Sequence, residues 1–488
     1  MRSNRVVVFG GVLTFVVAGT GVMVGSAAQT PQAAQAAPAQ GAQRAQVRVP
    51  PPDPTIAGLV ARLSLEQYKG TVKGLTQFGD RQAGTKRNRD AVDWIEAQLK
   101  SYGCTNTERI TYTYTTAQRN AGAGGNRGAA GAGAGAGAGG QRAAAPPAPA
   151  QPGQGEPLRT GPGGSTEFGN RAATGVFNPP REGGAPAGAG RGNAPSTNPV
   201  GTPPTPTVDD AHMKLNAERP VDGERQEVFC TKIGTTHPDE MYIVGGHMDG
   251  IGWGEAANDD GSGTALVMQL ARVFSSPDVQ TDRSIRFVLW NNEETGLNGA
   301  RAYVDQRKDL QGKESPAGSG KYPEPKWLGM VQHDMMMWDH GMPQPMLDKA
   351  GQPMKDAQGR VIYHAPKDQR PEADVNIEFQ SQSKMSDDSM KLAFAFKYAN
   401  DRYATDYPAQ VGPHMTNTDS EPFQDLIPAI SLRENERGRD IQAGWDPNWH
   451  QPTDVFTTYT DKDFKLGLNA AETTLAAIAQ LAGATVKK

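Results

Sequence analysis

The sequence contains only two cysteines, Cys104 and Cys230, among its 488 residues. Two thiols cannot build a zinc site from cysteine alone, and one pair is not the disulfide framework of a small secreted domain. Neither sign of charge is in large excess, because the formal net charge is −4, and no long run of lysine or arginine occurs. Nucleic-acid-binding proteins usually carry a basic patch, so we expect no nucleic-acid partner.

Long apolar stretches are missing after residue 28, so no later segment is expected to cross a membrane. Within residues 1–28, Arg2 and Arg5 precede an apolar stretch that ends in the small residues 26 SAA 28. This pattern is typical of a secretory signal peptide, with a single-span anchor as the alternative. We therefore expect an exported protein, periplasmic or extracellular, with no stable membrane insertion once the segment is cleaved.

Two segments have the composition of unfolded chain. Residues 29–54 are rich in alanine, glutamine and proline, which predicts a linker. Residues 118–221 contain almost no large apolar side chains. Such a segment cannot bury enough surface to offset its chain entropy, so we predict a disordered insertion. The remaining segments, 55–117 and 222–488, are together long enough for one domain with a sizeable core.

Strand and helix patterns alternate through this predicted domain. We predict strands at 108–116, 226–234, 241–247, 284–291, 327–334, 374–380 and 426–432. We predict helices at 86–102, 263–274, 295–307 and 389–403, and a closing amphipathic helix that begins with a capping pair, Thr460 and Asp463. This order predicts an α/β fold, a three-layer α/β/α sandwich around a mostly parallel, doubly wound mixed sheet. Ligand sites in such folds lie beyond the carboxyl ends of the strands.

Side chains that bind metals follow the predicted strands at that edge. They are His247, Asp249, Asp259, Asp260, Glu293, Glu294, Asp334 and His450. Each has an ordinary explanation when it is taken alone, such as a core histidine or a carboxylate at the start of a helix. Several carboxylates at one edge would nevertheless repel each other unless cations neutralised them. Two imidazoles with three carboxylates suit two divalent ions, most simply zinc.

Five motifs occur in an order that resembles the di-zinc aminopeptidases of metallopeptidase family 28. They are GGHMD at 245–249, NDDGSG at 258–263, NNEETGLNGA at 291–300, QHD at 332–334 and WHQPTD at 449–454. The resemblance covers nearly all of the chain from about residue 55, apart from the insertion. It therefore implies a zinc exopeptidase fold with a complete ligand set.

The resemblance also implies a role for each site residue. His247 and Asp334 would bind one zinc ion, Glu294 and His450 would bind the other, and Asp259 would bridge the two.

Three further carboxylates receive roles by the same resemblance. Glu293 would be the general base, and Asp249 would support the ring of His247 from behind. Asp454 would act in the same way near His450. One departure is Ser420 in 418 TDSEPF 423, where family members often carry a histidine. This departure leaves the substrate contacts at that segment open.

The expected function is that of an exported di-zinc exopeptidase, most simply an aminopeptidase. It would hydrolyse N-terminal residues from peptides with a metal-activated water and a glutamate base. Carboxypeptidase activity and glutaminyl cyclase activity on the same site remain open, as does a non-catalytic binding protein on this fold. The sequence does not predict the oligomeric state.

The two cysteines flank strands that would be consecutive if the insertion were removed. Cys104 precedes the strand at 108–116, and Cys230 lies within the strand at 226–234. Consecutive strands usually neighbour each other in a sheet. A disulfide and a pair of buried free thiols both remain open.

Two other segments near the motifs carry weaker signals. The methionine-rich stretch 335–342 is expected to form core or the wall of a cleft, with a substrate-facing surface as the alternative. Residues 433–440 are expected to form a solvated loop, from which Arg433 or Arg437 would be available to hold a substrate carboxylate.

Overall fold

The computed structural model describes residues 51–115, 209–339, 346–357, 359, 362, 375–413, 418–434, 446 and 448–487. The predicted signal peptide, 1–28, lies outside the described residues. So do most of the linker, 29–54, and most of the insertion, 118–221. Among the described residues, every helix is too short or too polar to span a lipid bilayer.

Ten strands are formed by the described residues. They are β1 Thr107–Tyr114, β2 Gly223–Lys232, β3 His237–His247, β4 Val279–Gln280, β5 Arg283–Trp290, β6 Lys326–His333, β7 Val375–Phe379, β8 Ala409–Gly412, β9 Ala429–Glu434 and β10 Thr485–Val486. Eight of them form one sheet in the order β1-β2-β5-β3-β6-β9-β7-β8, and β4 pairs separately with β10. The pairs β3–β5, β3–β6, β6–β9 and β7–β8 are parallel, which confirms a mostly parallel mixed sheet.

Helices cover both faces of this sheet. They are α1 Pro54–Val60, α2 Leu65–Thr76, α3 Lys86–Ser101, α4 Asp210–Asn216, α5 Gly261–Phe274, α6 Asn298–Arg307, α7 Ser386–Tyr403 and α8 Asp461–Leu481. Apolar side chains of α2, α3, α5, α7 and α8 share one buried cluster with one face of the sheet. The other face packs against α6 and the turn that contains Phe423. The predicted three-layer α/β/α architecture is confirmed.

The central strands are buried on both faces, as their continuous apolar sequences require. β5, for example, is buried from Ser284 to Trp290. Strands covered by helices on both sides carry apolar residues without alternation. The closing helix α8 begins as predicted, because the backbone N–H of Thr460 donates to the Asp463 carboxylate at 2.7 Å within a complete capping box. Local sequence therefore sets both the layers and the start of the last helix.

Several elements lie where no element was predicted. Helix α2 contains Gly70 and Gly74, which read as helix breakers in sequence. Gly74 is needed for packing, because a Cβ there would lie 2.6 Å from the Trp94 ring. The last part of the predicted disordered insertion, 118–221, is not disordered. Residues 210–216 form helix α4, and Asp209 is its N-terminal cap.

Two further sequence expectations are decided by the structure. Cys104 and Cys230 form a disulfide with a Cα–Cα distance of 6.1 Å, next to the antiparallel pairing of β1 with β2. The predicted loop at 433–440 is wrong at its start, because Arg433 and Glu434 belong to β9 and are buried. Their charges are accommodated by hydrogen bonds to other buried polar side chains. Arg437 lies outside the described residues.

Candidate metal centre

The ends of three neighbouring parallel strands place the first site residues. β3 ends at His247, β5 is followed by Glu293 and Glu294, and β6 is followed by Asp334. Because β5, β3 and β6 are adjacent in the sheet, their carboxyl ends lie side by side. Asp259 reaches the same edge from the turn before helix α5.

Two groups of possible metal ligands converge at this edge and share one residue. The first contains His247, Asp259 and Asp334, and the second contains Asp259, Glu294 and His450. His247 Nε2 lies 3.3 Å from Asp259 Oδ1 and 3.8 Å from Asp334 Oδ1. His450 Nε2 lies 3.0 Å from Asp259 Oδ2 and 3.1 Å from Glu294 Oε2. Each carboxylate oxygen of Asp259 therefore faces a different imidazole.

Adjacent aspartates at the start of α5 have different contacts. Asp260 is the helix cap, and its Oδ1 accepts from the backbone N–H of Gly263 at 2.8 Å and of Met335 at 3.1 Å. Its Oδ2 accepts from the backbone N–H of His247 at 3.0 Å. Asp260 thus ties the ends of two strands to the helix, while Asp259 faces the imidazoles.

Asp249 supports His247 through its backbone as well as its side chain. The Nδ1–H of His247 donates to the backbone carbonyl of Asp249 at 3.0 Å, and an Asp249 carboxylate oxygen lies 3.7 Å from the same nitrogen. That carboxylate also accepts from the backbone N–H of Glu293 at 3.1 Å. Asp249 therefore connects the His247 ring to the turn that carries Glu293.

Two tryptophans hold His450. The Trp253 indole N–H donates to the His450 backbone carbonyl at 2.6 Å, and the Trp449 ring stacks on the imidazole at 4.1 Å between centroids. The φ of His450 is 54°, in the left-handed region that non-glycine residues adopt only when neighbouring contacts hold them there.

Asp454 has a different position from the one the sequence suggested. Its carboxylate accepts from the backbone N–H groups of Asn258 at 2.8 Å and Asp259 at 3.1 Å, and from the Tyr459 hydroxyl at 2.9 Å. These contacts correct the expectation of a carboxylate behind the His450 ring. Asp454 instead orients the backbone of the residue shared by both groups of ligands.

Burial and mutual charge shift the pKa values of the five candidate ligands. Burial alone would lower the pKa of His450, but Glu294 and Asp259 raise it to about 10. Burial likewise opposes charge on His247, yet the surrounding carboxylates raise its pKa well above the ordinary value. Burial raises the pKa of Glu294 to about 7 although His450 lowers it. A metal ion binds the deprotonated imidazole, so metal binding at these nitrogens competes with protons.

The donor set fits a zinc site on the chemistry of its residues. It offers two imidazole nitrogens and three carboxylates, which are typical zinc ligands. Glu294 Oε1 is buried and has no hydrogen-bond partner in the part of the chain that the structure describes. A buried acceptor without a partner is costly, and a cation there would satisfy it.

Arg81 belongs to the site but could not be found from the sequence. It is fully buried, and its guanidinium donates to the carbonyls of Met248, Glu255 and Ala256 at 2.7–2.8 Å. These carbonyls lie on the loop between His247 and Asp259. A single arginine in a polar stretch carries no sequence signal of burial, so periodicity could not identify it.

A second missed contact involves strand β9. Arg433 Nη2 lies 2.5 Å from Asp334 Oδ2, so its guanidinium already pairs with a predicted zinc ligand. Glu434, the next residue, accepts from the Asn258 side-chain amide. Asn258 also donates to Asp446 at 2.9 Å. These buried polar contacts set the backbone that precedes Asp259.

The remaining predicted segments border the same edge. Met335, Met336 and Met337 are buried, as expected for core or a cleft wall. In the 418–423 segment Asp419 and Ser420 are fully buried, and the Asp419 carboxylate accepts from the side-chain amide of Gln332 at 3.3 Å. Ser420 therefore occupies an enclosed position next to Asp419.

Comparison with known proteins gives a family match and partial relatives. The model of peptidase family M28 matches residues 228–472. Aminopeptidase YwaD of Bacillus subtilis is 40% identical over 79 residues, which cover 16% of this chain and 17% of YwaD. Carboxypeptidase Q of Xenopus laevis is 29% identical over 96 residues, 20% of each protein. The structure of BSAP, a zinc aminopeptidase from Bacillus subtilis, has a TM-score of 0.48 at 15% identity and covers 87% of this chain and 96% of that one. The chain thus spans about a fifth of the length of YwaD and of carboxypeptidase Q, the two relatives matched by sequence.

Proposed function

The chain belongs to peptidase family M28, and from this premise we propose that it is an exported di-zinc aminopeptidase that removes N-terminal residues from peptides. The observation that carries the proposal is the pair of ligand groups that share Asp259. His247, Asp259 and Asp334 would hold one zinc ion, and Asp259, Glu294 and His450 would hold the second. A carboxylate that offers one oxygen to each group is suited to bridge two ions.

Bound zinc would supply an activated water and polarise the carbonyl of the scissile peptide bond. The chain's own residues would handle the proton. Glu293 precedes the ligand Glu294, is buried beside it and belongs to neither group of ligands. A carboxylate in this position would take a proton from the water and pass it to the leaving amine. Asp249 accepts from the Glu293 backbone N–H and so fixes the start of this side chain.

The charge of the described site favours the amino end of a peptide. Two carboxyl groups that are not ligands, those of Glu293 and Asp419, are buried beside the ligands, while the guanidinium of Arg433 is paired with Asp334. A positively charged α-ammonium group would be attracted to such a site, and a terminal carboxylate would be repelled. This balance supports an aminopeptidase over a carboxypeptidase.

A substrate panel tests the proposal. The zinc-loaded protein is assayed on aminoacyl, C-terminal-carboxyl and N-terminal-glutaminyl substrates, with and without a chelator. We expect chelator-sensitive turnover of the aminoacyl substrates, and little turnover of the same substrates after N-acetylation removes the ammonium charge.

Each other outcome identifies a different function. Release of C-terminal residues would indicate a carboxypeptidase, and cyclisation of glutaminyl peptides a glutaminyl cyclase. No chelator-sensitive turnover on any substrate would contradict an enzyme and favour a non-catalytic binding protein.

Export is part of the same proposal. The composition of residues 1–28 and the Cys104–Cys230 disulfide support it, because disulfides persist mainly in oxidising compartments. Fractionation should recover a chain cleaved near residue 28 from the periplasm or the medium. A full-length chain with two reactive thiols in the cytoplasm would contradict export.

A further inference from the structure

We propose that Asn88, on helix α3, is a positioning residue for the general base Glu293 and acts through a reciprocal amide pair with Asn291. The inference rests on the proposed function, because it takes Glu293 as the base. Asn88 lies outside the residues that the family model matches, 228–472. The N-terminal part of the chain would thereby take part in catalysis without touching the substrate.

The two amides face each other in the interior. Asn88 Nδ2 donates to Asn291 Oδ1 at 3.0 Å, and Asn291 Nδ2 donates to Asn88 Oδ1 at 2.9 Å. Their exposed fractions are 2% and 0%. A buried amide that lost this partner would keep an unsatisfied donor and acceptor, so the pair resists separation.

Every polar position of the Asn291 side chain is occupied. Its Oδ1 also accepts from the Asn292 backbone N–H at 2.9 Å, and its Nδ2 also donates to the Gln226 carbonyl at 2.7 Å. An amide that uses two donor and two acceptor sites has one orientation that satisfies them all. The side chain therefore fixes the exit of the chain from strand β5.

The backbone of Asn291 is held as well. Its carbonyl accepts from the Tyr112 hydroxyl at 2.8 Å and from the Gly299 N–H at 3.0 Å. The next residue, Asn292, has a φ of 67° in the left-handed region. A left-handed residue reverses the chain sharply, so the direction of Glu293 depends on how firmly Asn291 is held.

We call residues 291–297 the base turn, since they carry Glu293. The N–H groups of Gly296 and Leu297 donate to the Glu293 carbonyl at 2.8 and 2.9 Å. The Asn88–Asn291 pair joins the base turn to α3 at the Asn291 end. A shift of about 1 Å at a catalytic group can cost about 100-fold in rate, so loosening this end should lower turnover.

Asn88 is itself firmly anchored. Its backbone N–H donates to the Thr85 hydroxyl at 3.2 Å at the start of α3, and its Nδ2 donates to the Arg81 carbonyl at 2.7 Å. The Arg81 side chain holds the loop between His247 and Asp259. One short segment therefore supports both the ligand loop and the base turn.

The test compares Asn88→Ala with a matched control, Asn400→Ala, in the zinc-loaded full chain. Asn400 is also a buried amide with two hydrogen bonds, to the Tyr407 carbonyl and the Thr473 hydroxyl, each at 3.0 Å. We expect Asn88→Ala to lower kcat about 10- to 100-fold, with KM within about twofold and zinc content unchanged. Asn400→Ala should lower stability and leave kcat unchanged.

A double-variant cycle and a milder variant strengthen the test. If Asn88 acts through Asn291, then Asn88→Ala combined with Asn291→Ala should be no slower than Asn291→Ala alone. Tyr112→Phe removes one hydroxyl and keeps the ring. It should lower kcat by a smaller factor, about 3- to 10-fold, even if Asn88→Ala does not fold.

Hydrogen exchange supplies a readout that needs no activity. Amides of the base turn should exchange at least about tenfold faster in Asn88→Ala or Tyr112→Phe than in the wild type, and Asn400→Ala should leave them unchanged. If the wild type turns over no peptide, the proposed function fails, but faster exchange would still show that Asn88 holds the base turn. Wild-type-like kcat and exchange in both variants would overturn the inference.

Discussion

Replacing Glu378 by glutamine should stabilise the protein in alkaline solution. Glu378 lies on β7 and is 1% exposed, and neither carboxylate oxygen has a hydrogen-bond partner among the described residues. Burial raises the pKa of Glu378 to about 8, against the effect of nearby Arg433. The ordinary value for an exposed glutamate is 4.5. Ionisation therefore costs more in the folded chain than in the unfolded chain.

The size of the effect follows from these two pKa values. Because the folded-state pKa is the higher one, the contribution of Glu378 to stability is full below about pH 4.5 and is lost as the pH rises through about 8. Each unit of difference is worth about 1.4 kcal/mol. Glutamine stays neutral throughout. The variant should therefore gain about 4 kcal/mol over the wild type between about pH 5 and pH 9.

Denaturant unfolding of both proteins at a series of pH values measures this difference. Glu472→Gln is a graded control, because burial raises the pKa of Glu472 to about 7 and its gain should end at a lower pH. A difference between wild type and Glu378→Gln that stays flat across this range would refute the reasoning. It would mean that the Glu378 carboxyl is neutralised or solvated in the folded state.

Three other perturbations test separate parts of the structure. Arg81→Met removes hydrogen bonds to three buried carbonyls and should lower the free energy of unfolding by roughly 3–6 kcal/mol. A loss under about 1 kcal/mol would contradict the role of these hydrogen bonds. Cys104→Ser removes the disulfide to Cys230 and should cost about 2–4 kcal/mol in the same unfolding measurement, with turnover retained at low temperature. Asp454→Asn replaces an acceptor that orients Asp259 and should weaken zinc affinity about 10- to 100-fold in a chelator competition, whereas wild-type affinity would show that this contact does not matter.

The sequence predicted the layers of the fold because strong local patterns encode them. The apolar run of β5 and the capping pair of α8 each depend on neighbouring residues, and both occur where expected. Helix α2 could not be predicted, since Gly74 is explained only by the Trp94 ring that packs against it. Long-range packing is invisible to a periodicity argument.

The same distinction holds at the site. Candidate ligands could be named because each follows a strand, and parallel strands end at a common edge. The buried partners could not be named. Arg81 and Arg433 are polar residues in polar stretches, and their burial depends on carbonyls and carboxylates far away in the sequence. Asp454 was expected behind the His450 ring but contacts the backbone of Asn258 and Asp259 instead. The sequence of a turn does not show in which direction a side chain points.

Turnover and zinc content of Glu293→Gln test the division of roles between Glu293 and Glu294 most directly. The account predicts that the variant keeps about two zinc ions per chain while turnover falls by at least about 100-fold, because the amide cannot accept the proton from the water. Glu294→Gln should instead lose metal. A Glu293→Gln protein that loses its zinc, or that keeps wild-type turnover, would contradict the assignment.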